Sequence, residues 1–221
     1  MIEKIEKWII SIITLLIVTE LVYSVYATQW LNSFLALFLL LITLSPVLLR
    51  NRMNIKVPTE FQLLFILFMF SSLFLGEIRG FYERFWWWDI ALHTSSGFLL
   101  GILGFLLVYV LNNTDNIALK MKPGFVAFFA FLLGVAFGAI WEIFEFAMDQ
   151  FFGMNMQKEM LGDPSGLTDT MWDLTVDAAG ALFISLLGWF YMVRRKESFI
   201  DAWIHKFIKS NPGIFKRKAR E

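Results

Sequence analysis

The sequence predicts an all-α, polytopic membrane protein: a six-helix transmembrane bundle followed by an amphipathic interfacial helix. Three observations lead there. Of the 221 residues, 58% are hydrophobic, and the mean hydropathy is +0.64. Only 17% are charged, against ~25% in soluble domains, too few to clothe a soluble chain of this size. The apolar residues also gather into runs close to the ~20 that cross a bilayer as a helix. There is no cysteine, so disulfides, thiolate zinc sites and cysteine nucleophiles are excluded.

The elements follow in order. The first run, 8–28, is long enough to span and is followed by no A-x-A-like cleavage site, so it reads as a retained helix rather than a signal peptide. The second, 31–49, comes after only Gln29 and Trp30, which predicts a tight antiparallel hairpin. The third, 61–75, is short and is expected to extend toward Pro58. The fourth, fifth and sixth are 90–111, 125–147 and 170–193. The longest connection, 150–169, holds Gly153, Gly162, Pro164, Ser165 and Gly166 and is expected to be an ordered or lid-like loop. Beyond the sixth run, Phe199, Ile200, Trp203, Ile204, Phe207 and Ile208 recur at helical spacing, with Asp201, Lys206 and Lys209 on the other side. That pattern, followed by a basic end at 216–220, predicts a helix lying on the inner leaflet and attracted to anionic lipid. The domain expectation is a six-span unit, 1–195, with its site-bearing core at about 86–182, and a basic cytoplasmic tail, 196–221.

Orientation comes from Lys and Arg. With six alternating spans, all of them except Arg79, Arg84 and Lys158 fall on the side of the N-terminus. The positive-inside rule then places both termini in the cytoplasm of a plasma (inner) membrane.

Within this apolar chain, ionisable residues collect at one end of three consecutive spans. Asp89 and His93 open the fourth, Glu142, Glu145 and Asp149 close the fifth, and Asp169, Asp173 and Asp177 open the sixth. A charge at membrane depth costs roughly 2.5–3.5 kcal/mol on insertion scales, so a cluster of this kind points to a shared proton, metal or polar ligand. At a rise of about 1.5 Å per residue, His93, Glu145 and Asp173 fall in one layer and Glu142 and Asp177 in a deeper one. Glu20 on the first span lies at a similar depth and is a candidate to join from the side. Asp89 and His93 are i, i+4, as are Asp169, Asp173 and Asp177 in succession, so each set shares a helix face. Gly97, Gly101, Gly104, Gly134, Gly138 and Gly180 allow close helix approach. The expected product is a polar pocket between spans four to six, open to the outer surface.

One imidazole among many carboxylates suits a divalent metal: zinc, manganese, iron or magnesium. The expected ligands are Asp89, His93, Glu142, Glu145, Asp169 and Asp173, with His93 also the candidate catalytic base and Asp149, Asp177 and Glu20 more peripheral. Arg79 and Arg84 precede the site and are candidates for holding a head-group phosphate, or else interfacial anchors beside the aromatic belt of Trp86, Trp87 and Trp88.

These residues carry a family resemblance. Asp89-x3-His93 followed by Gly97, then Trp141-Glu142-x2-Glu145, then Asp169-Thr170-x2-Asp173-Leu174 with Gly180-Ala181, resembles the YjdF-type inner-membrane proteins of bacteria over roughly residues 86–182. A looser similarity to VanZ-like proteins rests on the same Asp-x3-His start and a later acidic pair. In both families a lysine often follows the first aspartate, where this chain has Ile90. The resemblance implies a multi-pass inner-membrane protein and no established reaction.

The function expected from the residues is a metal-dependent, membrane-embedded enzyme acting on a lipid or lipid-linked head group at the extracytoplasmic face. The alternatives are an ion or proton transporter using the acidic cluster and a non-catalytic membrane scaffold or sensor. The expected partner is membrane lipid; nucleic acid is not expected.

Overall fold

A computed structural model describes residues 2–53, 55–112, 121–194 and 199–212. Every regular element among them is helical: α1 (Ile2–Tyr26), α2 (Trp30–Met53), α3 (Thr59–Met69) running on as a π-helix (Phe70–Ile78), a single turn α4 (Phe81–Arg84), α5 (Trp88–Asn112), α6 (Pro123–Phe152), α7 (Leu167–Arg194) and α8 (Phe199–Ser210). Six helices are long and apolar enough to cross a membrane, with α3 and its π continuation forming one of them. In each, only 22–33% of the most apolar stretch is buried. A soluble helix hides its apolar stripe; these present theirs outward, as a lipid-facing surface requires. The chain is a polytopic membrane protein. Most helices overrun the apolar runs by a few residues, because polar residues such as Asp89 and Asp169 continue the helix past the apolar part.

The chain divides into two compact units. The first holds the residues up to Trp88 and the C-terminal segment from His205. Its core is Ile13, Ile17, Leu39, Ile66 and Phe74. The predicted hairpin is there: α1 and α2 are joined by residues 27–29, and Ser33 Oγ bonds Ser24 Oγ at 3.0 Å and the Gln29 carbonyl at 3.0 Å. The third span does extend back to Thr59, but its second half is π-helical, which apolar periodicity gives no sign of. There Gly76 makes room for the Tyr82 ring, whose hydroxyl bonds Ser72 at 3.0 Å. Trp88 Nε1 donates to the Ser71 carbonyl at 3.3 Å, and Phe81, Phe85, Trp87 and Trp88 pack ring to ring. Lys206 of α8 pairs with Glu60. Asn211 clamps Lys56, accepting from its N–H and donating to its carbonyl at 2.7 Å. The basic end at 216–220, and Lys120 among the residues used for orientation, lie outside the described residues.

The second unit runs from Asp89 to Ile204 and is built on close helix contact. Gly97 of α5 packs on the Asp177 and Ala181 backbone of α7, and Gly180 of α7 packs on the Thr94 and Phe98 backbone of α5. On α6, a methyl placed on Gly134 would come within 2.6 Å of the Ala181 methyl. Gly104 of α5 sits as tightly on Ala130 of α6. Small residues at these crossings let the backbones meet. They bring the N-terminal ends of α5 and α7 beside the C-terminal end of α6.

Candidate metal centre

His93 sits at the middle of that end, 7% exposed on α5. Its two ring nitrogens face different surroundings. Nδ1 lies 3.1 Å from Asp177 Oδ2, and Asp177 also accepts a bond from Ser96 Oγ at 2.5 Å on its other oxygen. Asp177 is 1% exposed. It fits because Gly138 of α6 has no side chain: a methyl there would stand 2.5 Å from Oδ2. Nε2 faces three carboxylates, Asp89 at 3.7 Å, Glu142 at 3.8 Å and Asp173 at 3.9 Å. Asp173 Oδ2 is buried with no hydrogen-bond partner, while the buried Glu142 carboxyl lies beside the Thr170 hydroxyl. Buried polar atoms are nearly always satisfied, so a buried, orphaned carboxylate oxygen 3.9 Å from the imidazole nitrogen is one that could take a cation.

The donor geometry agrees. One ligand atom each from His93, Glu142 and Asp173 lies within 4.8 Å of the others, and the same is true of Asp89, Asp169 and Asp173. Ligands held at ~2.0–2.2 Å from a shared ion stand about 3–4 Å apart, which the distances around Nε2 meet. A metal-bound histidine commonly gives its second ring nitrogen to a carboxylate, which fixes tautomer and orientation; Asp177 stands in that position. This group of residues could hold a metal ion.

The other expected residues are placed as follows. Asp169 is buried and accepts from the Lys158 backbone N–H at 2.8 Å. Glu145 is buried but turned aside, accepting from Trp141 Nε1 at 2.9 Å. Positions three apart on a helix differ by about 60° in direction, so Glu142 and Glu145 do not both meet His93. Asp149 has its oxygens taken by the N–H groups of Met156 and Gln157, at 2.7 and 2.9 Å, and anchors the loop. Glu20, 3% exposed, is paired with Arg79 at 2.5 Å inside the first unit. That guanidinium also lies 5.0 Å from the Phe74 ring centre. Arg84 is exposed.

Two contributors were not anticipated. Ser96 stood out neither by charge nor by motif. Lys158 counted only toward orientation, although it is the one cation between α6 and α7 and lies between acidic helix ends. Its Nζ bonds Asp89 Oδ2 at 2.9 Å. Burial works against the charged ammonium, but Asp89 and, behind it, Asp169 and Glu145 outweigh this and raise its pKa. The loop carrying it is an ordered one. Gly153 closes α6 in the left-handed conformation with φ 65°. Gln157 Nε2 donates to Thr170 Oγ1 at 2.7 Å. Asp163 accepts from the N–H groups of Ser165 and Thr168 at 2.9 and 3.0 Å. The Ser165 hydroxyl, donating at 2.7 Å, together with these N–H groups and the Thr168 hydroxyl at 2.8 Å, holds its carboxyl well below the usual range.

Comparison with known proteins adds the family. Residues 7–194 match the family described as a predicted membrane protein, DUF2238. An uncharacterised protein of Thermotoga maritima is 30% identical over 173 residues, which cover 78% of this chain and 77% of that protein. No solved structure matches. With a match over most of its length, from within the first span to the end of the sixth, the chain belongs to the DUF2238 family of predicted membrane proteins.

Proposed function

We propose that the chain is a membrane-embedded metalloenzyme that acts on a lipid or lipid-linked head group at the extracytoplasmic face of the plasma membrane. The observation that carries this is the two-sided setting of His93: Asp177 on Nδ1, and on Nε2 three carboxylates, among them Asp173 with a buried oxygen that has no hydrogen-bond partner. One nitrogen with several carboxylates suits zinc, manganese, iron or magnesium. Such an ion would activate water or polarise a phosphoryl oxygen. His93, Glu142 and Asp173 are the first ligands, and Asp89 and Asp169 stand next to them. The distribution of Lys and Arg supports cytoplasmic termini, which puts this end of α5–α7 on the outer side. Asp89 and Lys158 are the more exposed members of the cluster, with side chains 19% and 30% exposed, so a head group would enter past them. The resemblance to YjdF-type and VanZ-like proteins is compatible with this reading and supplies no reaction. The remainder of α5, α6 and α7 carries no Asp, Glu, Lys or His before their far ends. A one-ended cluster favours an enclosed site over a transport path.

The test is elemental analysis and metal titration of the detergent-purified protein beside His93→Ala and Glu142→Gln. Stoichiometric metal in the wild type, lost in His93→Ala, is the expected result. A protein that contains none, and binds none when Zn2+, Mn2+, Fe2+ and Mg2+ are offered, overturns the reading.

A further inference from the structure

The two sets of donors overlap. His93, Glu142 and Asp173 form one, Asp89, Asp169 and Asp173 the other, and Asp173 belongs to both. Asp173 is 2% exposed, and its Oδ2 has no hydrogen-bond partner. A carboxylate at such a junction can give one oxygen to each of two cations. Asp89 is divided in the same way, with Oδ1 toward His93 at 3.7 Å and Oδ2 on the Lys158 ammonium at 2.9 Å. Lys158 reaches this place because the loop is docked onto the helix ends. Its own N–H bonds Asp169, those of Met156 and Gln157 bond Asp149, and the Gln157 side chain bonds Thr170.

Charge points the same way. Asp89, Glu142, Asp173 and Asp177 lie within 4 Å of one imidazole, Asp169 stands with Asp89 and Asp173, and so many neighbouring carboxylates do not stay ionised together without compensating cations. A single divalent ion at His93 leaves the Asp89–Asp169 side negative. Paired metal ions about 3.5–4 Å apart, bridged by carboxylate, are a recurring arrangement in hydrolytic and phosphoryl-transfer sites.

We propose that the cluster is a two-cation centre bridged by Asp173, and that the Lys158 ammonium holds the second seat, at Asp89 and Asp169, in place of a second divalent ion. This rests on the metal reading above and adds to it which cation stands where. A lysine ammonium is a compact charge on a flexible stem. It can leave the seat while the Lys158 backbone stays on Asp169, so the loop need not undock for a second ion to enter.

The experiment is Mn2+ titration of the detergent-purified full chain, read by ion count and by electron paramagnetic resonance. Wild type is expected to bind one ion per chain with the signal of an isolated Mn2+. Lys158→Met is expected to bind two, with the broadened signal of a coupled pair, and Lys158→Gln gives the same count should the methionine variant fold poorly. Lys158→Arg keeps the charge and stays at one. Lys158→Met/Asp169→Asn returns to one. One ion in wild type and in both neutral variants overturns the second seat and leaves the His93 site standing. Two ions already in wild type overturn the role of Lys158. No ion in any of them overturns the metal reading itself.

Discussion

Replacing Asp177 with Asn tests whether this carboxylate orients and polarises His93. The two side chains have nearly the same shape, so the amide oxygen can keep the 3.1 Å contact to Nδ1 while the charge disappears. From that contact, the width of the ring and a metal–nitrogen bond of ~2.1 Å, the lost charge stands about 7 Å from an ion on Nε2. Coulomb's law with an effective dielectric of ~20 gives about 5 kcal/mol for a unit charge and a dication at that separation. That figure is an upper bound, because the hydrogen bond survives. Loss of partners of this kind typically weakens metal binding about 10–100-fold, or about 1.4–2.7 kcal/mol. Isothermal titration of the purified protein with Zn2+ or Mn2+ reads this directly, with thermal unfolding to confirm that the variant is folded. A folded Asp177→Asn that binds metal within about two-fold of wild type would refute the orienting role.

Three other outcomes are expected. Gly97→Ala sets a methyl against the Asp177 and Ala181 backbone and should cost about 1–3 kcal/mol as overpacking. Gly124→Ala meets nothing within 4 Å and should be neutral or stabilising by up to about 1 kcal/mol; thermal unfolding of both variants in one detergent checks the pair. Arg79→Met leaves Glu20 buried without its partner and should destabilise by about 1–3 kcal/mol, with Glu20→Gln/Arg79→Met recovering part of the loss. The Asp163 carboxyl is held below its ordinary pKa, so its contribution is complete above the unfolded value of about 3.9 and fades as pH falls toward the lower folded value. Asp163→Asn should mimic that loss at neutral pH, seen as faster proteolysis within 153–166; unchanged cleavage would refute the turn's dependence on this charge.

The six helices were legible because length and hydropathy alone decide what can cross a bilayer. The meeting of Asp89, His93, Glu142, Asp173 and Asp177 was partly legible, since intervals of four on α5 and α7 fix a face. Depth counting placed Glu145 with His93, and the structure places Glu142 there, because rise along a helix locates a backbone and not the direction of its side chain. Helices that are apolar all round give no strong stripe from which to read their rotation. The π-helical half of the third span and the entry of Lys158 were hidden for a different reason. Hydropathy reports neither: the π-helical half packs against Tyr82, and Lys158 meets Asp89 across the sequence. Asp177 was ranked below Asp173, yet it is the closest carboxylate to the imidazole.

The reciprocal glycine contacts between α5 and α7 limit how this protein can move. Gly97 sits on the α7 backbone and Gly180 on the α5 backbone, so each helix fills the notch left by the other's missing side chain. To slide one helix along the other, a neighbouring side chain would have to climb into a notch with room for hydrogen alone. The pair is therefore interlocked like mortise and tenon, and His93, Asp173 and Asp177 travel together or not at all. A working cycle that needs helices rocking past one another would have to break that joint. One that needs only a loop lysine to swing would leave it intact.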